Sequence, residues 1–272
     1  DSLTHNVIHA ILETADGEVW VGTNGGGISV FDLDGKFVKS VKYGNENSSE
    51  YVNKFINSLL YDDAGNIWIG TVDKGVLKYD AKSAKFNHYQ YVETNERSLA
   101  SNTIQTIYQD SKQGIWIATD KGLLIYDPKS DDFDRFIHAP TNPYSISNDF
   151  VLTLFEDKNG MMWIGTFTGV NRWDPNMTSF SQYTTQTNPE LKNSNTTSFT
   201  QFNDSEVVFS TYSGGIYRMN IASKKITRLD LNEYFSEMRI MTLYPDGDNL
   251  WVGTRADGAY KVDLTTKEVK AY

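Results

Sequence analysis

Apolar and polar residues alternate along this chain with a period of two, in short runs that come in sets of four. The first run of each set reads as a half-buried strand, as in Val7–Glu13, Ile56–Tyr61, Ile104–Gln109 and Val151–Glu156. A turn rich in Asp, Asn and Gly closes it, as at Asp16-Gly17, from Asp157 to Gly160, or at Asp246-Gly247. The second run is a Trp-x-Gly-Thr phrase. It appears from Trp20 to Thr23, Trp68 to Thr71, Trp116 to Thr119 (with Ala118 for Gly), Trp163 to Thr166 and Trp251 to Thr254. A Gly-containing turn leads to a third run that ends in Phe31-Asp32, Tyr79-Asp80, Tyr126-Asp127, Trp173-Asp174, Met219-Asn220 or Val262-Asp263. The fourth carries Phe86 and Tyr89, Phe133 and Phe136, or Phe180 and Tyr183, with weaker counterparts in Ile226 and Leu229 and in Val269 and Tyr272. A helical period of 3.6 is evident in no set.

The phrase makes the chain a tandem repeat. Val208 to Thr211 is a degenerate copy that fills the one gap, and positions 20, 68, 116, 163, 208 and 251 are then separated by 48, 48, 47, 45 and 43 residues. That is the period of one four-stranded propeller blade. The expected fold is all-β: one β-propeller domain over 1–272 with six four-stranded antiparallel blades, near 1–47, 48–95, 96–142, 143–188, 189–233 and 234–272. Each repeat supplies all four of its strands, which leaves none to stitch the ends together. The six blades therefore close by packing alone, or form an open, partial propeller within a longer protein. A Trp fills the wedge between blades and a small residue after it lets sheets approach, so Trp20, Trp68, Trp116, Trp163 and Trp251 are expected in the core. Blade five, lacking the Trp and the Gly, is expected to pack differently.

Charge and composition narrow the function. A formal charge of −10 and no Lys/Arg cluster disfavour a nucleic-acid partner, which needs a basic stripe. No segment approaches the roughly 20 apolar residues of a membrane helix, so no direct membrane contact is expected within this chain. There is no cysteine, hence no disulfide, thiolate nucleophile or cysteine metal site.

The candidate chemistry is sparse. His5, His9, His88 and His138 fall in different repeats at no metal-ligand spacing. The acidic turns at Asp62-Asp63, Asp131-Asp132 and Asp246 to Asp248 lack the twelve-residue calcium loop with its terminal Glu. Asp32, Asp80, Asp127, Asp174 and Asp263 recur in register, which assigns them to turns and strand ends instead of one catalytic centre. No cofactor, no metal and no catalytic residue is expected. Paired carboxylates brought together from separate blades would instead define a propeller enzyme of polysaccharide lyase or glycosidase type, acting at a central channel.

The stretch from Ser98 to Asp127, with Asn102, Asp110, Trp116, Thr119 and Tyr126 in order, resembles the two-component regulator propeller repeats. The resemblance covers essentially the whole chain and is specific in units one to four and six. It implies an extracytoplasmic, periplasmic sensor region of a bacterial inner-membrane receptor whose output is a histidine kinase or a diguanylate cyclase, non-catalytic itself. It also implies as partners a small polar ligand such as a glycan fragment, or other domains of the same receptor, with homodimerisation belonging to the full receptor.

Within the repeat, the loops that escape the pattern mark where contact is made. The links Tyr43–Asn53, Tyr91–Asn102, His138–Asp149 and Thr184–Thr196 are long and dissimilar, and strand alternation puts them on one face with the second-to-third strand turns. That face is predicted to carry Asn24, Asp73, Lys74, Asp120, Lys121, Phe167, Tyr212, Arg255 and Asp257. In the first strand, the position eleven before the Trp reads His9, Asn57, Gln105 and Leu152, the least regular slot of an otherwise regular run, so His9 joins the candidate ligand-binding set.

Overall fold

The computed structural model describes residues 3–41, 55–174 and 179–272. Among them the chain forms six four-stranded antiparallel sheets, each made from four consecutive strands in chain order. Blade one consists of Ile8–Glu13, Val19–Thr23, Ile28–Phe31 and Phe37–Ser40; blade three of Ile104–Gln109, Ile115–Thr119, Gly122–Asp127 and Asp132–Phe136; blade five of Thr196–Asn203, Glu206–Thr211, Gly215–Asn220 and Ile226–Arg228. Blades two, four and six lie within 56–89, 151–183 and 240–271. One single-turn helix, Asn232–Phe235, precedes blade six. The fold is the all-β, six-bladed propeller class that the repeat predicts, and among the described residues each blade takes its four strands from one consecutive stretch of chain. The chain divides into two compact units, 1–135 and 136–272, with three blades in each apart from Phe136, the last residue of blade three, which falls in the second.

The recurring residues recur because each closes a backbone turn or fills a wedge. In blade two Asp62 accepts from the Asn66 amide at 2.7 Å through Oδ1 and from the Trp68 indole N–H at 2.7 Å through Oδ2, so one carboxylate caps the first turn and fixes the ring. Asp110 with Trp116 at 2.7 Å and Asp157 with Trp163 at 2.8 Å repeat the pair. Blade one has Thr14 at that place, and Glu18 takes the Trp20 indole at 3.0 Å. The Thr of each phrase donates its Oγ1 hydrogen across the next turn to a glycine carbonyl: Thr23 to Gly27, Thr71 to Gly75, Thr119 to Gly122, Thr166 to Gly169 and Thr254 to Gly258, all at 2.8–3.0 Å. Its alternative, a hydroxyl sealed in the sheet without a partner, costs about 1–3 kcal/mol.

Within each unit successive blades stack wedge on wedge. Trp68 meets Tyr126 of blade three edge-on with centroids 4.9 Å apart, and Trp163 packs on Phe199 of blade five. The residue after the Trp-Ile or Trp-Val pair must be small because the next blade's first strand passes over it. A Cβ on Gly70 would sit 2.7 Å from Ile104 Cγ2, and one on Gly22 2.6 Å from Ile56 Cγ2.

Of the five tryptophans that open the repeated phrase, four are buried. Trp251 is the correction: it is only half-buried, stacked between Tyr272 at 5.0 Å and the Lys261 ammonium at 5.3 Å. Trp68 and Trp163 pack against the following blade of the same unit, whereas Trp251 has its ring against Tyr272 and Lys261 of its own blade.

Candidate functional site

The first strand of every blade contains an irregularity in its pairing with the second near the start of the strand, and that of blade five has another between Gln201 and Asn203. The register slips between Ile8 and Ala10, Ile56 and Ser58, Val151 and Thr153, Thr196 and Ser198, and Ile240 and Thr242, and in blade three opposite Ala118 and Thr119, which strands Gln105. The residue left out of the ladder is therefore His9, Asn57, Gln105, Leu152, Thr197 or Met241. A bulge frees its side chain from the alternation and re-aims it. The least regular slot in the sequence is thus a structural exception too. In the first unit these bulge residues form a relay: the His9 ring nitrogen Nδ1 lies 3.0 Å from Asn57 Oδ1, and Asn57 Nδ2 donates to the Ile104 carbonyl at 2.9 Å.

Just beyond the bulge, a second slot is constant in backbone and variable in side chain. The residue after the phrase's Thr donates its amide to the carbonyl of the residue ahead of the first strand: Asn24 to Val7, Val72 to Phe55, Phe167 to Phe150, Tyr212 to Asn195 and Arg255 to Arg239, at 2.8–3.1 Å. The backbone holds these positions at the same end of each blade, and the side chains are free to differ.

The predicted residues are distributed over this end in both units. In the first, Asn24 is partly buried, while Asp73 and Lys74 are exposed and paired at 3.8 Å. The Lys74 carbonyl meets the His88 ring nitrogen Nε2 at 2.6 Å. Asp120 turns Oδ1 inward, buried and without a hydrogen-bond partner, and the Lys121 amide donates to Thr119 while its side chain is exposed. In the second, Phe167 is 51 % exposed and tilts against Phe150 at 6.0 Å. Tyr212 and Arg255 are brought together, with Arg255 Nη1 donating to the Tyr212 hydroxyl at 2.8 Å. Asp257 stays exposed, its amide on Thr254 Oγ1. The sequence reading missed Arg239, whose guanidinium lies 5.6 Å from the Tyr212 ring centroid. A signal for it existed: in the aligned repeats it occupies the slot just ahead of the first strand, with Val7, Phe55, Phe150 and Asn195. The link Tyr43–Asn53 lies outside the described residues.

The recurring acids are committed elsewhere. Asp80 accepts from the Ser83 hydroxyl and the Lys82 amide, Asp127 from the Lys129 amide and Ser130 hydroxyl, and Asp263 from the Thr266 and Thr265 amides. Those hydrogen bonds hold all three carboxyls below the usual carboxylate range, as fits turn caps that remain ionised. His5 and His138 are likewise engaged, with the Val7 amide at 3.1 Å and the Ile146 carbonyl at 2.8 Å. Among the described residues no group of three or more His, Asp or Glu is placed to hold a metal ion.

A bulged first strand, a capped indole and variable loops at one end of each blade define a repeat propeller whose packing is fixed and whose contact residues are not. The family model described as two component regulator propeller matches residues 2–25, 50–73, 98–121 and 145–168, the opening part of blades one to four. Among solved structures it is similar to the extracellular domain assigned to hybrid two component system BT3049 of B. thetaiotaomicron (TM-score 0.78, 21% identity, 98% of this chain and 35% of that one). It is also similar to the extracellular domain assigned to one component system BT4673 of the same organism (TM-score 0.50, 22% identity, 99% and 49%), and to U3-55K (TM-score 0.67, 10% identity, 98% and 81%). At such identities the likeness is one of fold, and the chain spans between about a third and a half of the two B. thetaiotaomicron chains. No curated protein matches it in sequence.

Proposed function

We propose that this chain is the extracytoplasmic sensing propeller of a bacterial signal-transduction receptor, non-catalytic itself, which binds a small polar ligand on the face that carries the variable loops. The observation that carries the reading is the Arg239–Tyr212–Arg255 cluster. Two guanidiniums converge on one phenol ring at the end of the blades where the backbone is constant and the side chains vary. Such a cluster offers fixed N–H forks and an aromatic surface to an acceptor-rich molecule such as a glycan fragment. The family of the repeats and the extracellular setting of two structural neighbours support the receptor assignment and the periplasmic location. Another domain of the same receptor is the second occupant that this face would suit. Affinity is expected to be modest, because Phe167 and Tyr212 are the few apolar anchors among the candidate residues.

The test replaces Arg239, Tyr212 and Arg255 with Ala, Phe and Ala in the intact receptor and measures both output and thermal stability against a panel of glycan fragments. Loss of response with an unchanged melting temperature is the expected result. A full response from the triple variant would remove this face from consideration. Cleavage of any fragment by the purified parent would favour the lyase or glycosidase reading.

A further inference from the structure

In blades three and four a polar side chain of the fourth strand fastens the link that enters the same blade. Arg135 donates Nε to the Ser98 carbonyl and Nη2 to the Asn95 and Leu99 carbonyls, each at 2.7 Å. Gln182 donates to the Ser145 carbonyl at 2.8 Å. The equivalent residue in blade five is Arg228, which faces Tyr217 across the ladder as Gln182 faces Asn171. There the link is held by Tyr217 instead, whose hydroxyl accepts from the Lys192 amide at 3.0 Å and donates to the Gly214 carbonyl at 2.8 Å.

Arg228 is thereby released from the anchoring role, and the structure keeps room for it. Its Nε is buried with no hydrogen-bond partner. The guanidinium crosses Gly215, where φ is +98° and a Cβ would meet Nε and Nη2 at 3.2 Å. Next to it, Arg218 also has a buried, unpartnered Nε; it lies over the Phe202 ring at 4.7 Å and 3.6 Å from Glu206. Both arginines line a cavity of about 320 Å³ together with Asp230, Leu231, Leu264 and Lys267. The carboxylate in that wall is already taken, since Lys267 donates to Asp230 at 3.2 Å. A guanidinium carries five N–H donors, and a buried donor without an acceptor is costly, so these two side chains favour an acceptor beside them.

We propose that this cavity binds an oxyanion group, a carboxylate, sulfate or phosphate on a small solute, with Arg228 as the principal donor and Arg218 as the second. The site lies on the outer strands of blade five and is separate from the cluster around Tyr212. The test titrates the intact protein by calorimetry with sodium sulfate, sodium phosphate and sodium glucuronate at fixed ionic strength balanced by chloride, with glucose as the uncharged control. Saturable one-to-one binding of at least one oxyanion and none of glucose is expected, and the preferred anion identifies the source. Arg228→Gln should weaken that binding about tenfold or more, and Arg228→Lys, which keeps the charge and loses the fork, should fall between. Lys225→Gln, exposed on the same blade, should bind as the parent does. If no oxyanion saturates, or if Arg228→Gln and Arg228→Lys both bind as tightly as the parent, the proposal is overturned.

Discussion

Blades three and five share four strands, their turns and the bulge, yet they satisfy their polar groups in opposite ways. In blade three Trp116 is buried with its indole on Asp110, the Thr119 hydroxyl bridges to Gly122, and Arg97 and Arg135 are saturated by Asp132, Asp134 and backbone carbonyls. In blade five Val208 stands where the Trp would be, the Thr211 hydroxyl is buried without a partner, and Arg218 and Arg228 each have a buried Nε with nothing to donate to. The face that Val208 occupies is filled instead by Leu231, Phe235 and Leu243, with Phe235 edge-on to Tyr260 at 5.4 Å. The lesson is that a repeat protein can lose the residues that define its repeat and keep the strands, because packing tolerates substitution by volume. Polar groups are less forgiving, and where a repeat's partners vanish the orphans mark either tolerated cost or a use.

The sharpest way to break the comparison is at the wedge. Trp116→Ala removes a buried ring and its hydrogen bond and should cost about 3–5 kcal/mol, whereas Val208→Ala, at the same place in the repeat, should cost about 2 kcal/mol. Urea denaturation of both variants decides it. Equal losses would mean that Val208 supports as much packing as the Trp it replaces.

A smaller effect tests the orphan directly. Thr119→Val deletes a hydroxyl that donates to Gly122 at 2.8 Å and accepts from the Lys121 amide at 3.1 Å, and should destabilise by about 1–2 kcal/mol. Thr211→Val deletes a buried hydroxyl with no partner and should be neutral or stabilising. A comparable loss in both variants would mean that Thr211 is hydrogen-bonded in solution.

How much of this is legible in the sequence depends on how strictly a position repeats. Six blades, their strand order and the structural role of the recurring Asp residues follow from the period, because a side chain needed in every wedge must recur. The irregular slot at His9, Asn57 and Gln105 is visible as well, although only the register shows it to be a bulge. Trp251 misleads because the phrase encodes the ring and not the neighbour that would cover it. Arg239 and Arg228 are illegible for the opposite reason. They sit in a link and in a fourth strand, where the repeat is weakest, and their significance lies in what Tyr212 and Tyr217 do nearby.

The smallest expected effect concerns pH and a network that blade three has and blade five lacks. The Tyr89 and Tyr126 hydroxyls both donate to Asp131 Oδ1, at 2.6 and 2.7 Å. Burial, reinforced by the Asp131 carboxylate, pushes the Tyr89 phenol up to about 12 and raises Tyr126 as well. An unfolded Tyr releases its proton near 10. The folded state therefore holds protons that the unfolded state has lost, and the stability this contributes is complete below pH 10 and falls away as pH rises toward 12. At the acid end the sign reverses. Hydrogen bonds from the Lys129 amide to Asp127 and from Arg97 to Asp132 depress both carboxyls, so their contribution is present above the unfolded value near 3.9 and disappears as pH falls through the folded ones. Those two groups are partly exposed and screened, which makes the alkaline limb the better readout. Urea midpoints measured from pH 8.5 to 11.5 should decline less steeply in Tyr89→Phe/Tyr126→Phe than in the parent. Identical slopes would show that the two phenols titrate alike in the folded and unfolded chain, and the Asp131 network would then be a contact without electrostatic consequence.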